Sequence, residues 1–203
     1  MRIAPAMLAF IASVLFVFSS FFVAVPSVAA SAGLNQCTPA TTSQPPSTIA
    51  VYRVATGRVQ RVDFKLYVAR VTYHEWNVDA TALRRAGAVA AKQYAWYHVL
   101  NWRGGRAGGE CFDVRDSTAD QIYQAKSARS IPARIFKSVN DTWSWRMNRD
   151  GRFFMSGYRT GTVAPCASDA GSKLYARSAK RCAKKGWSTE RILRTYYTAN
   201  VTK

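Results

Sequence analysis

The sequence predicts an α+β fold: a single helix-rich domain with short β-hairpins, preceded by a signal peptide. Three observations carry that prediction. Apolar residues fall at helical spacing in Phe64, Tyr67, Val68 and Val71, and an Ala-dense stretch continues over residues 80–102. Short alternating runs flank Thr56-Gly57 and the segment from Asn148 to Gly151, the pattern of hairpins. Residues 1–30 carry Arg2 as their only charge, followed by an apolar run from Ile3 to Val25, Pro26 and the small-residue stretch Ser27-Val28-Ala29-Ala30.

The N-terminal pattern reads as a secretory signal cleaved after Ala30. The alternative is an uncleaved anchor, since the run is long enough to span a bilayer; only then is a membrane a partner. Residues 31–48 are uncharged and rich in Ser, Thr and Pro, a linker or a pinned extended arm. The domain proper spans 49–203. It opens with a hairpin in which Val51/Val54 and Val59/Val62 alternate. Asp63 caps a helix ending by Asn77, and Asp79 caps a longer one whose Ala content suits a central buried helix. The Gly-rich residues 104–116 read as a surface loop. Ser117 caps a short helix through Tyr123, and Ile131 to Val139 form another. A second hairpin pairs Trp143 to Met147 with Arg152 to Ser156. A helix from about Gly171 to Lys185 stops at Gly186, and Ser188 caps the last helix, which begins at Glu190.

Composition narrows the partners. Lys and Arg number 29 against 11 acids, a formal charge of +18, while 48% of the chain is hydrophobic. This excludes a disordered basic tail and calls for a polyanionic partner. Nucleic acid is the usual partner of such a composition, but the export signal and the lack of a recognised nucleic-acid motif argue against it. Cys37, Cys111, Cys166 and Cys182 all follow the expected cut, and an even count in an oxidising compartment favours two disulfides. No CxxC pair exists, and His74 and His98 lie far from any cysteine, which disfavours zinc. Four cysteines allow three pairings; nearness in sequence favours Cys166 with Cys182, leaving Cys37 with Cys111. The expected metal and cofactor content is none.

The glutamates are Glu75, Glu110 and Glu190. Glu190 sits in a first helical turn, where complementing the helix dipole is sufficient explanation, and Glu110 sits in the Gly-rich loop. Glu75 lies at a helix C-terminus between His74 and Trp76, where the dipole disfavours an acid. Partly desolvated there, its pKa would rise toward that of a general acid; a surface pairing with Arg84 or Arg85 is the alternative. Trp76 beside it suits either core packing or a sugar platform. The aromatics Tyr94, Trp96, Tyr97 and Trp102 read as core and helix-end packing. The basic cluster Arg177, Lys180, Arg181, Lys184 and Lys185 has the spacing of a solvated helix face.

Residues 63–100 resemble the stage II sporulation protein D and amidase-enhancer domain family. Its pattern Y-V-x-G-V-V-x-x-E, followed by E-A-L-K-A-Q-A-V-A-A-R-T-Y-A, is met by Tyr67-Val68, Val71, Glu75, Ala82-Leu83, Ala86, Ala88-Val89-Ala90-Ala91 and Tyr94-Ala95. Asp113, Asp116, Thr118, Gln121 and Tyr123 are similar to a D-x-C-D-x-T-x-x-Q-x-Y block, and residues 184–197 to its G-x-S-x-x-E-I-L-x-x-Y-Y ending. The resemblance implies a lytic transglycosylase acting on peptidoglycan glycan strands, with Glu75 as catalytic acid and His74, Trp76, Tyr67, Gln121 and Tyr123 on the substrate side. It also implies the alternative of a non-catalytic wall-binding module that localises or stimulates an amidase. Expected partners are thus peptidoglycan strands, anionic wall polymers or an amidase, with the protein secreted to the cell wall. Two departures bear on activity. Where the family has zinc-capable Cys, His and Cys, this chain has Arg115, Ala119 and Asp120. Where the family has G-H-G-x-G-M-S-Q, this chain has Asp169-Ala170-Gly171-Ser172-Lys173-Leu174-Tyr175-Ala176.

Overall fold

Strands β1 (Thr48–Arg53) and β2 (Arg58–Asp63) pair antiparallel from Thr48↔Asp63 to Arg53↔Arg58. The turn is closed by Gly57 at φ +66°, left-handed backbone that glycine adopts without strain. The Asp63 carboxylate then accepts from the Leu66 N–H at 2.7 Å and starts α1 (Phe64–Glu75), the expected cap. Helix α2 (Thr81–Leu100) starts differently. Asp79 is not its cap; the Arg84 guanidinium instead donates to the Val78 carbonyl at 2.6 Å and folds the entry segment back on the helix.

The computed structural model describes residues 36–125, 130–162, 166, 171 and 173–203. The segment 1–30 read as a signal peptide lies outside them. Among the described residues no helix is long and apolar enough to cross a membrane. They fall in the compact unit Ala32–Lys203, an α+β arrangement of five helices and ten short strands.

Helix α2 is central because its alanines let neighbours close on two sides. Ala88, Ala91, Ala95 and Val99 join one core cluster with Val68 and Val71 of α1. Leu83, Ala86, Val89 and Ala90 join a second with Leu174, Ile192 and Tyr196. After α2 the Gly-rich segment is not a plain loop: β3 (Arg106–Ala107) and β4 (Glu110–Cys111) form a small hairpin, and β5 (Val114–Arg115) runs parallel to β1. The short helix expected from Ser117 to Tyr123 does not form. A turn takes its place, with the Asp120 N–H on the Ser117 carbonyl, and the Ile122 N–H that such a helix would use internally is given to Glu75.

Helix α3 (Ala133–Asp141) begins after Pro132, two residues later than expected, consistent with proline's fit at a helix start. Strands β6 (Arg146–Arg149) and β7 (Arg152–Phe153) form the second hairpin, shorter than expected. Strands β8 (Gly157–Arg159) and β9 (Lys173–Tyr175) pair in parallel, so the helix expected from Gly171 starts only at Ala176 as α4 (Ala176–Lys184). Gly186 at φ +80° ends that helix region. Ser188 caps α5 (Thr189–Tyr197) by accepting from the Arg191 N–H, and β10 (Asn200–Thr202) adds to β6.

Both favoured cysteine pairs are bonded, Cys37 to Cys111 and Cys166 to Cys182. Residues 36–47 lie against the domain. The buried Asp113 carboxylate accepts from Thr38 Oγ1 at 2.6 Å and from the Ala50 N–H at 2.9 Å, and Trp96 Nε1 donates to the Thr41 carbonyl at 2.8 Å.

Candidate active site

Phe64, Tyr67, Val68 and Val71 are the buried side of α1, and Glu75 continues that side one turn further. The helix therefore carries an acid into a position its own periodicity makes inward-facing. Oε1 accepts from the Ile122 N–H at 2.6 Å. Oε2 is shielded from solvent and has no hydrogen-bond partner among the described residues. The Tyr158 hydroxyl lies beside the carboxyl in the same cavity.

The hydrogen-bonding role of the Tyr158 oxygen follows from its neighbours. Gln121 Nε2 donates to the Ala91 carbonyl at 3.0 Å and to the Tyr158 oxygen at 2.9 Å, while Gln121 Oε1 accepts from the Tyr67 hydroxyl at 2.9 Å. A backbone carbonyl can only accept, so the amide orientation is fixed. Tyr158 accepts from Gln121 and keeps its own proton. Burial raises the Glu75 pKa, and the hydrogen bonds from Tyr158 and Ile122 offset part of that rise. Tyr158 is itself pushed well up by burial and by the Glu75 charge, and stays a neutral donor.

These groups open on a cavity of about 370 Å³ lined by His74, Glu75, Trp76, Tyr158, Arg159 and Ala176 among others. His74 stands half-buried at its edge, its pKa lowered by desolvation and then by Arg70. Trp76 is 1% exposed: its ring packs on Gly87 and edge-on to Tyr158 at 5.2 Å between centroids, so neither face is open to a sugar. Tyr67, Gln121 and Tyr123 are buried behind the cavity, with the Tyr67 and Tyr123 rings stacked at 5.0 Å. They hold the acid's surroundings in place and do not reach the open space.

Sequence reasoning missed Tyr158, Arg159 and Ala176. Tyr158 sits just beyond the stretch read as a hairpin strand, and only the β8–β9 pairing brings it to α1. One signal was present: Ala176 is the position aligned with the family's Gln, and it does line the cavity. Of the rewritten segment, Asp169, Ala170 and Ser172 lie outside the described residues, while Leu174 and Tyr175 are buried. At the positions aligned with zinc-capable residues, Asp120 accepts from the Arg115 N–H at 2.7 Å, from Arg103 at 2.6 Å and from the Tyr94 hydroxyl at 3.1 Å. A polar staple thus stands there, closing the loop that presents Ile122.

No curated protein matches the chain. A family model does, and the match supports a role connected with the cell wall. Residues 52–146, which include Glu75, Gln121 and Ile122 but end before Tyr158, match the family described as Stage II sporulation protein.

Proposed function

We propose that the protein is exported and acts on peptidoglycan glycan strands, with Glu75 as the general acid and base of a lytic transglycosylase-like cleavage. The observation that carries this reading is a desolvated carboxyl at a cavity, held by a backbone N–H, with Tyr158 beside it and one oxygen unpaired. An unpaired oxygen shielded from water favours the protonated form and raises the pKa of the acid.

In the reaction, the Glu75 proton moves to the glycosidic oxygen linking N-acetylmuramic acid to N-acetylglucosamine. The C1–O bond breaks, and the N-acetylglucosamine hydroxyl leaves. Glu75, now a carboxylate, accepts the proton of the muramyl 6-hydroxyl as O6 bonds to C1 and closes a 1,6-anhydro ring. The acid is regenerated, no water is consumed, and one carboxyl suffices where hydrolases of glycosides use two.

A second reading is a non-catalytic module that grips strands and localises or stimulates an amidase. Ala176 favours it, since a methyl lines the cavity where the family pattern supplies Gln. Incubation with purified glycan stripped of peptides separates the two, with products weighed for 1,6-anhydro ends and Glu75→Gln as control. Anhydro product from the native protein alone supports catalysis. Strand binding without that product in either protein supports the module.

A further inference from the structure

Helix α4 buries Ser178, Ala179 and Cys182 against the domain and turns Arg177, Lys180, Arg181 and Lys184 to solvent. These four cations follow one another at i, i+3 and i+4 over roughly 10 Å of helix. Like charges at that spacing repel and weaken a helix. On two other helices a cation has an acid at i±4: Lys137 pairs with Asp141 on α3, and Arg194 pairs with Glu190 on α5. Among the described residues no acid pairs with any of the four on α4. The first turn of α4 holds no acid either, and Arg177 sits there against the helix dipole. The same helix is tied covalently through Cys182 to Cys166.

Position adds to charge. Ala176, the first residue of α4, lines the Glu75 cavity together with Arg159. The cationic face therefore begins at the cavity edge and runs away from it.

We infer that the exposed face of α4 is a docking surface for a phosphodiester polymer lying alongside the strand in the cavity. Two arginines offer paired donors that match phosphate oxygens, and two lysines add point charges. A lipid surface is disfavoured, because interfacial helices also present large apolar side chains. The exposed large hydrophobics among the described residues are Val54, Leu66, Phe136 and Met155, none of them on α4.

The probe is soluble poly(glycerol phosphate), its binding measured against salt for three full-length proteins. One is native. The second carries Arg177→Gln, Lys180→Gln, Arg181→Gln and Lys184→Gln. The third loses the same charge from other exposed positions, as Arg58→Gln, Arg106→Gln, Arg134→Gln and Arg152→Gln. The α4 variant should lose at least tenfold in affinity, and its salt slope should fall by ~3 if four contacts behave as on a single-stranded polyanion. The charge-matched control should lose much less. Equal loss in the two variants, or none in the α4 variant, overturns the proposal, as does equal affinity of the native protein for polyglutamate or for anionic phospholipid vesicles. Relief of like-charge repulsion should leave the α4 variant's melting temperature unchanged or raised, so folding does not confound the comparison. Glu75→Gln should bind the polymer as the native protein does, which keeps this outcome separate from that of the catalytic reading.

Discussion

Replacing Gly87 with Ala should destabilise the protein, although in an ordinary helix interior the same change stabilises by about 1 kcal/mol. Gly87 lies within α2 at φ below zero, so backbone strain is not the reason. A Cβ at this position would stand 2.2 Å from Trp76 Cδ2, 2.3 Å from Cγ and 2.6 Å from Cε3. Carbon atoms pack at roughly 3.5–4 Å, so the indole would have to retreat by more than ~1 Å. It is 1% exposed and packs edge-on to Tyr158, which leaves it no room. Overpacking of this kind costs about 1–3 kcal/mol, which outweighs or cancels the propensity gain and leaves a net loss of up to ~2 kcal/mol. Urea denaturation of four proteins tests it: native, Gly87→Ala, Trp76→Ala and the double variant. Trp76→Ala alone should cost about 3–5 kcal/mol. With the ring gone, Gly87→Ala should become stabilising by about 1 kcal/mol, a reversal of sign that only contact between the two sites produces. A Gly87→Ala protein more stable than the native one, or the same effect in both backgrounds, refutes the reasoning.

Glu75→Gln should abolish any glycan cleavage and reveal a pH-dependent stability difference. The native acid has its pKa raised above 4.5 by burial, so the folded state binds more protons than the unfolded one between 4.5 and the raised value. Native stability therefore falls as pH rises through that window, by about 1.4 kcal/mol for each tenfold by which folding tightens the hold on the proton, and the Gln variant does not follow. Denaturation midpoints from pH 4 to 8 should show the variant gaining on the native protein and then running parallel. Asp113→Ala should cost about 1–3 kcal/mol, because the buried Ala50 N–H and Thr38 hydroxyl lose their acceptor. Hydrogen exchange should show lost protection concentrated in residues 36–50. Removing the disulfides one at a time should rank by loop length. The Cys37–Cys111 bond, spanning 74 residues, should be worth about 4.5 kcal/mol and the Cys166–Cys182 bond, spanning 16, about 3 kcal/mol, measured by urea titration of the double-serine variants.

What the sequence made legible was mostly local. Asp63 and Ser188 cap the helices they precede because a short oxygen-bearing side chain beside free N–H groups acts within three residues. The Ala-dense run gave the central helix, since small side chains at every position suit a helix packed on two sides. Glu75 stood out because a helix C-terminus is a poor place for an acid. Long-range bonds hid the rest. Asp79 looked like a cap but lost that role to Arg84, and the 117–123 segment had a helix's sequence while Asp120 and Ile122 served Arg115, Arg103 and Glu75. Parallel pairing of β8 with β9 leaves no turn signature between neighbouring strands, so Tyr158 could not be read as a neighbour of the acid.

The bond from Ile122 to Glu75 joins residues 47 apart, and Tyr158 comes from further still along the chain. The hydrogen bond that holds the carboxyl and the Tyr158 ring beside it come from outside α1. An unfolded or half-folded chain therefore carries an ordinary surface glutamate, ionised at neutral pH and without power as an acid. Reactivity is a property of the finished tertiary structure. On the proposed reading, the acid would be without effect until β8 and β9 have paired and brought Tyr158 beside the first helix.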